Sequence, residues 1–199
     1  MSMTSLRRPQ RGLTLIELMV VVALIAVVIA LVAPSFRQTM DRQRVSSTNA
    51  QLVTDMQFAR SEAATRNQHV RVTFGANASM SCYVIYTYDM SVASSLSRCN
   101  CLVEPACTAA GSTEIRSVRI PTDTRVNLRP VAGMPVEFAF EPVTGALYKV
   151  PTDFFTPPLT QYATFAYIDL QRSLRTVLSL SGRPTVCAPT GSKMQAPAC

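Results

Sequence analysis

From Leu18 to Ala33, sixteen consecutive residues are apolar, and between Leu13 and Ala33 only Thr14 and Glu17 are polar. A helix of that length rises roughly 30 Å, the thickness of a bilayer core. A carboxylate inside such a run costs about 2.5 to 3.5 kcal/mol at mid-depth. Glu17 therefore needs a partner and reads as a functional residue. After Pro34 the pattern turns amphipathic: Val45, Asn49, Leu52, Met56, Ala59 and Ala63 recur at spacings of three and four, with Val53 beside them. Arg42, Arg44, Gln51, Asp55, Arg60 and Glu62 fall on the other faces. The expectation is one long helix from about Leu13 to about Thr65, kinked near Pro34, with its second half laid on a sheet.

From His69 the period becomes two. Val70, Val72 and Phe74 alternate with Arg71 and Thr73, the pattern of a half-buried strand. Tyr83–Tyr88 is rich in strand formers, and Gly75–Ser79 fits the turn before it. A loop from Met90 to Thr113 follows, dense in Ser, Ala and Cys. Further strands are expected at Glu114–Ile120, Arg125–Leu128, Val136–Phe140, Ala146–Val150, Thr164–Leu170 and Leu174–Leu180, separated by Pro and Gly breakers. One long helix followed by several short antiparallel strands predicts an α+β architecture.

Of the 199 residues, those after the apolar run suffice for one globular domain. The net charge is +7, and removing residues 1–12 takes away Arg7, Arg8 and Arg11 but no acid, leaving +4. Arginines flank the run on both sides, so charge alone does not orient it. Six cysteines, all downstream of the run, point to an oxidising compartment and place the C-terminal part outside the cytoplasm. Six cysteines allow 15 connectivities. A thiolate metal site at Cys82, Cys99, Cys101 and Cys107 lacks the two Cys-x-x-Cys-like pairs or added histidines usual for zinc, so disulfides are expected and no metal.

A cut between Gly12 and Leu13 would free the Leu13 amine one helical turn from Glu17. The carboxylate would then neutralise its own terminus or that of a neighbouring subunit. A secretory signal peptide fits less well, because the run outlasts an h-region of roughly 7 to 15 residues and ends at Pro34 rather than at a small-residue junction. A plain anchor leaves Glu17 unexplained.

The basic leader, Gly12, Leu13-Thr14-Leu15-Ile16-Glu17-Leu18 and the long apolar helix resemble a type IV prepilin N-terminus, with Leu13 where Phe is usual. Phe138–Gly145, Phe-x-Pro-x-x-Gly in form, and the ending Val177–Cys187 with Gly182-Arg183 resemble elements of the GspH/FimT group. The resemblance implies cleavage between Gly12 and Leu13 and N-methylation of Leu13 by a prepilin peptidase/methyltransferase, with Glu17 serving assembly. It implies a pilin-like fold and a minor pilin of a type IV pilus, in the priming or tip complex, whose partners are other minor and major pilins. The alternatives are a GspH-like pseudopilin of a type II secretion system and a DNA-binding tip pilin for transformation.

The expected division is a leader at 1–12, a transmembrane and filament-core helix at 13–34, an amphipathic helix at 35–66 and a β-rich domain at 67–199. The expected location is the bacterial inner membrane, single-pass with the C-terminal domain in the periplasm, and then the filament at the cell surface. A Cys187–Cys199 bridge closing the tail is implied by likeness to pilins. Cys82 would then bond Cys99, Cys101 or Cys107, and the remaining two would pair. Arg172, Arg175, Arg183 and Lys193 make the C-terminal segment basic, with no acid from Gln171 onward. They are candidate DNA contacts, although Thr185 stands where the DNA-binding turn Gly-Arg-x-Arg has its second arginine. No catalytic cluster is evident and no cofactor is expected. His69 has no partner of catalytic type, and Glu137 and Glu141 read as two solvated carboxylates on one strand face.

Overall fold

The computed structural model describes residues 14–89, 98–148, 150 and 159–199, with backbone alone at 31–34. It falls into two compact units, Met1–Met40 and Asp41–Cys199. Helix α1 spans Leu15–Arg66. Thr14 caps it, with Oγ1 accepting from the Glu17 amide at 3.3 Å and its carbonyl accepting from Leu18 at 3.2 Å. Asn67, at φ 50°, closes the other end. The Gln68 and Asn67 amides donate back to Ala63 and Ala64, a left-handed cap that satisfies two late carbonyls.

In the first unit the helix exposes Leu15, Ile16, Leu18, Met19, Val20, Val22, Leu24, Ile25, Val28, Ile29 and Phe36. Among the described residues no single helix is long and apolar enough to cross a membrane, while Leu15–Ala30 and Ser35–Arg66 meet that test as a bent pair. The break between those stretches ends at Pro34, whose missing amide leaves a carbonyl of the preceding turn without its helical donor.

In the second unit Asp41, Val45, Asn49, Leu52, Asp55, Met56, Ala59 and Ala63 form the buried face of α1. They pack against two antiparallel sheets. One runs β3-β2-β1-β5-β6, from β1 (Val70–Ala76), β2 (Met80–Tyr88), β3 (Ser112–Pro121), β5 (Glu137–Phe140) and β6 (Leu147–Tyr148). The other runs β4-β7-β8-β9, from β4 (Asn127–Pro130), β7 (Gln161–Tyr167), β8 (Ser173–Ser179) and β9 (Pro184–Cys187). Tyr162 of the second sheet lies 4.3 Å from Phe138 and 5.9 Å from Phe74 of the first, ring centre to ring centre. The Leu128 amide donates to Ser81 Oγ across the same seam at 3.0 Å. This α+β arrangement is pilin-like.

Three expectations about polar residues need correction. Asp55, expected on an outer helix face, is 1% exposed; it accepts Tyr83 Oη at 2.5 Å and pairs with Arg116 at 2.7 Å. Burial, then this hydrogen bond, drives the Tyr83 hydroxyl pKa well above its ordinary value. Arg71 and Thr73, expected toward solvent, are each 7% exposed because the cysteine-rich loop covers that face of the sheet. Glu137, expected in water, is 2% exposed between Arg71 (3.6 Å) and Arg98 (2.8 Å), and it accepts the Tyr86 hydroxyl. A carboxylate survives such burial only with partners of this kind.

Boundaries shift for local reasons. Gly75 and Ala76, expected in the turn, extend β1 opposite Cys82 and Ser81, and the Asn77 side chain holds the turn by accepting the Ser79 and Met80 amides at 2.9 Å. Arg125, expected to open a strand, adopts φ 65° after a 3-10 turn at Thr122–Thr124, so β4 starts at Asn127. β4 is an edge strand and therefore tolerates Pro130. Pro184–Cys187, beyond the last expected strand, is the opposite edge strand.

Candidate functional site

Gly12 and Leu13, the expected processing site, lie outside the described residues. Glu17 sits in the first helical turn on an exposed, otherwise apolar surface, and among the described residues nothing pairs with its carboxylate. Thr14-Leu15-Ile16-Glu17 has the sequence form of a capping box, a signal the apolar run obscured. The residues here satisfy the start of a helix and leave one acid and a long apolar flank exposed.

Two sequence elements of the sheet domain, Phe138–Gly145 and the turn at Gly182-Arg183, meet beside Arg60 near the C-terminal end of α1. Gly145 has φ 67°, and a Cβ there would stand 2.5 Å from Arg60 Nε. Gly182 has φ 73°, and a Cβ there would stand 2.2 Å from the Gly145 carbonyl oxygen. A side chain at either place would meet its neighbour and strain a left-handed backbone. Arg60 donates Nε to the Gly145 carbonyl at 3.2 Å and a terminal nitrogen to that of Thr144 at 3.4 Å. Around this junction lies a groove of about 550 Å³ lined by Gln57, Arg60, Val143, Gly182 and Arg183. Arg60 is the residue that pattern reading missed, since a helical arginine reads as solvated.

All six cysteines are paired: Cys82–Cys101, Cys99–Cys107 and Cys187–Cys199. Cys82–Cys101 lies over Gly75, where a Cβ would stand 3.1 Å from Cys101 Sγ. Arg119 clamps the loop by donating to the Cys101 and Val103 carbonyls at 2.9 and 2.7 Å and to Glu104 at 2.9 Å. Cys187–Cys199 ties the tail to β9, and the Cys199 amide donates to the Ala188 carbonyl at 3.1 Å.

The four basic residues of the C-terminal segment occupy different settings. The Arg172 guanidinium pairs with both Asp41 and Asp169, and this hydrogen bonding holds the Asp169 carboxyl below its ordinary pKa. Arg175 lies over the Phe165 ring, 4.7 Å from its centre. Arg183 is exposed opposite Ser179, four residues along β8 from Arg175, or roughly 13 Å at strand spacing. Lys193 is exposed, and its amide donates to the Gln171 carbonyl at 2.7 Å.

The family description of the prokaryotic N-terminal methylation motif matches residues 7–33. That of the type II transport protein GspH matches residues 48–182, more than half the chain. No curated protein and no solved structure matches. The second match spans the helix face from Asn49, all of the first sheet, strands β4, β7 and β8 of the second, and the Arg60–Gly145–Gly182 junction; the chain belongs to the GspH family of pilin-like proteins.

Proposed function

We propose that this protein is a minor pilin, a structural subunit of a type IV pilus assembled from the bacterial inner membrane, acting in the priming or tip complex. The family is structural, and we assign no catalysis. The observation that carries the reading is the methylation motif over residues 7–33 combined with Glu17 on an exposed apolar helix. In this reading the membrane holds the precursor through the apolar segment. Cleavage after Gly12 frees Leu13, which is N-methylated, and Glu17 pairs with the amine of a neighbouring subunit as the helix enters the bundle. Burying that charge pair among apolar helices stabilises only the correctly staggered neighbour, since either charge unpaired in such surroundings is costly. The domain from 67 to 199 then lies outside the cytoplasm, where its three disulfides persist.

The match to the type II transport protein favours a second reading, a pseudopilin of a type II secretion system. A chromosomal deletion complemented by wild type or Glu17→Ala tests both readings. Loss of sheared surface filaments in the deletion, restored by wild type and not by Glu17→Ala, supports the pilus. Normal filaments with loss of exoprotein secretion supports the pseudopilin, and retention of both phenotypes refutes the assembly role.

A further inference from the structure

Beside the turn that follows β7, a recess of about 510 Å³ is lined by Arg129, Phe165, Tyr167, Leu170, Arg175 and Pro189. The register that builds it is explicit. Arg129 of β4 pairs with Phe165 of β7, and Phe165 pairs with Arg175 of β8, so the three side chains stand in one row on one sheet face. The Arg129 guanidinium lies over the Tyr167 ring, 5.0 Å from its centre, and that of Arg175 over Phe165 at 4.7 Å. Stacking fixes the plane of each guanidinium while leaving its N–H edges for an acceptor. Among the described residues neither has a carboxylate or carbonyl partner, and Arg175 Nε is buried without one. Other arginines of this domain, such as Arg116, Arg119 and Arg172, are paired with acids.

We propose that this recess binds a carboxylate-bearing, partly apolar polypeptide segment of a partner protein, the acid held between Arg129 and Arg175. Two fixed forks without a carboxylate of their own match carboxylate geometry. Leu170, 82% exposed at the rim, and Pro189 offer contact to an apolar residue next to the acid. Single-stranded nucleic acid fits less well. Base stacking needs a free ring face, and the guanidiniums already lie over Phe165 and Tyr167. The proposal does not rest on the filament reading.

The test is a fluorescence-anisotropy titration of the full-length chain in detergent micelles. The probes are a labelled peptide of alternating Glu and Leu, its Gln-for-Glu analogue, and a labelled oligothymidylate. The expected result is that the acidic peptide binds at least tenfold more tightly than either other probe. Arg129→Gln and Arg175→Gln should each weaken it at least fivefold, while Arg42→Gln, on the exposed helix face, leaves it unchanged. Arg129 is exposed on an edge strand, so its variant carries the test if Arg175→Gln lowers the melting temperature. No binding of the acidic peptide, equal binding by all variants, or tighter binding of the oligothymidylate overturns the proposal.

Discussion

Gly182 faces the carbonyl oxygen of Gly145 so closely that a methyl group on it would come within 2.2 Å of that oxygen. The clash is with backbone, and Phe140 closes the other side at 3.1 Å, so nothing can yield cheaply. Gly182→Ala should therefore destabilise the domain by about 2 to 4 kcal/mol, through a strained φ and a forced shift of the neighbouring turn. Gly145→Ala meets the middle of a flexible arginine instead, and should cost about 1 to 2 kcal/mol. Denaturant midpoints for the two variants check the order. Equal losses would mean that the two turns are not packed as described.

Asp55 is a buried acid on the helix with two partners. Replacing it by Ala removes the acceptor of the buried Tyr83 hydroxyl and the partner of Arg116, and should cost about 2 to 4 kcal/mol. Tyr83→Phe in the Asp55→Ala background should recover part of that loss. A double-mutant cycle in denaturant reads both.

The long helix, the α+β class and most strands were legible in the sequence because each is written in a local period. Leu52, Met56, Ala59 and Ala63 announce a buried helix face whatever lies opposite. Arg71, Asp55 and Glu137 were not legible, because their burial depends on distant chain: the loop at 98–107 covers Arg71 and Glu137, and Tyr83 meets Asp55. A periodic pattern assigns charges to water by default and carries no record of a lid closed by disulfides. For the same reason the Arg60 junction and the Arg129–Arg175 row were invisible, being made by pairing between segments far apart in sequence. Glu17 was legible because a lone acid in an apolar run is conspicuous without any tertiary context.

His69 packs its ring 5.3 Å from that of Tyr148. Desolvation lowers its pKa below 6.5; the nearby Glu141 opposes the shift and Arg71 adds to it. A depressed histidine pKa means that the folded state prefers the neutral ring. Its contribution is present above the unfolded value of about 6.5 and is lost as pH falls through the folded one. The imidazole resonance of the wild type should titrate below that value. His69→Gln should remove that part of the pH dependence of stability, which sets in as pH falls below about 6.5.

The Cys82–Cys101 bridge closes a separation of 19 residues, and both its cysteines are buried in the outer cluster. Chain-entropy arguments give about 3 kcal/mol for a loop of this size, and the lost cover over Val84, Tyr86 and Tyr88 adds to it. Replacing both residues by Ala should lower the melting temperature more than replacing Cys187 and Cys199, whose separation of 12 closes only the tail. Thermal scans of the two double variants under oxidising conditions decide.

The central claim is that the chain is processed as a pilin, and the intact mass of the protein tests it most directly. The full sequence would be expressed with and without a prepilin peptidase. With the enzyme, the mass should equal that of residues 13–199 plus one methyl group, with all six cysteines oxidised. Gly12→Ala should keep the leader. A chain that retains residues 1–12 in the presence of the peptidase, or that is cut near Ala33, would contradict the account.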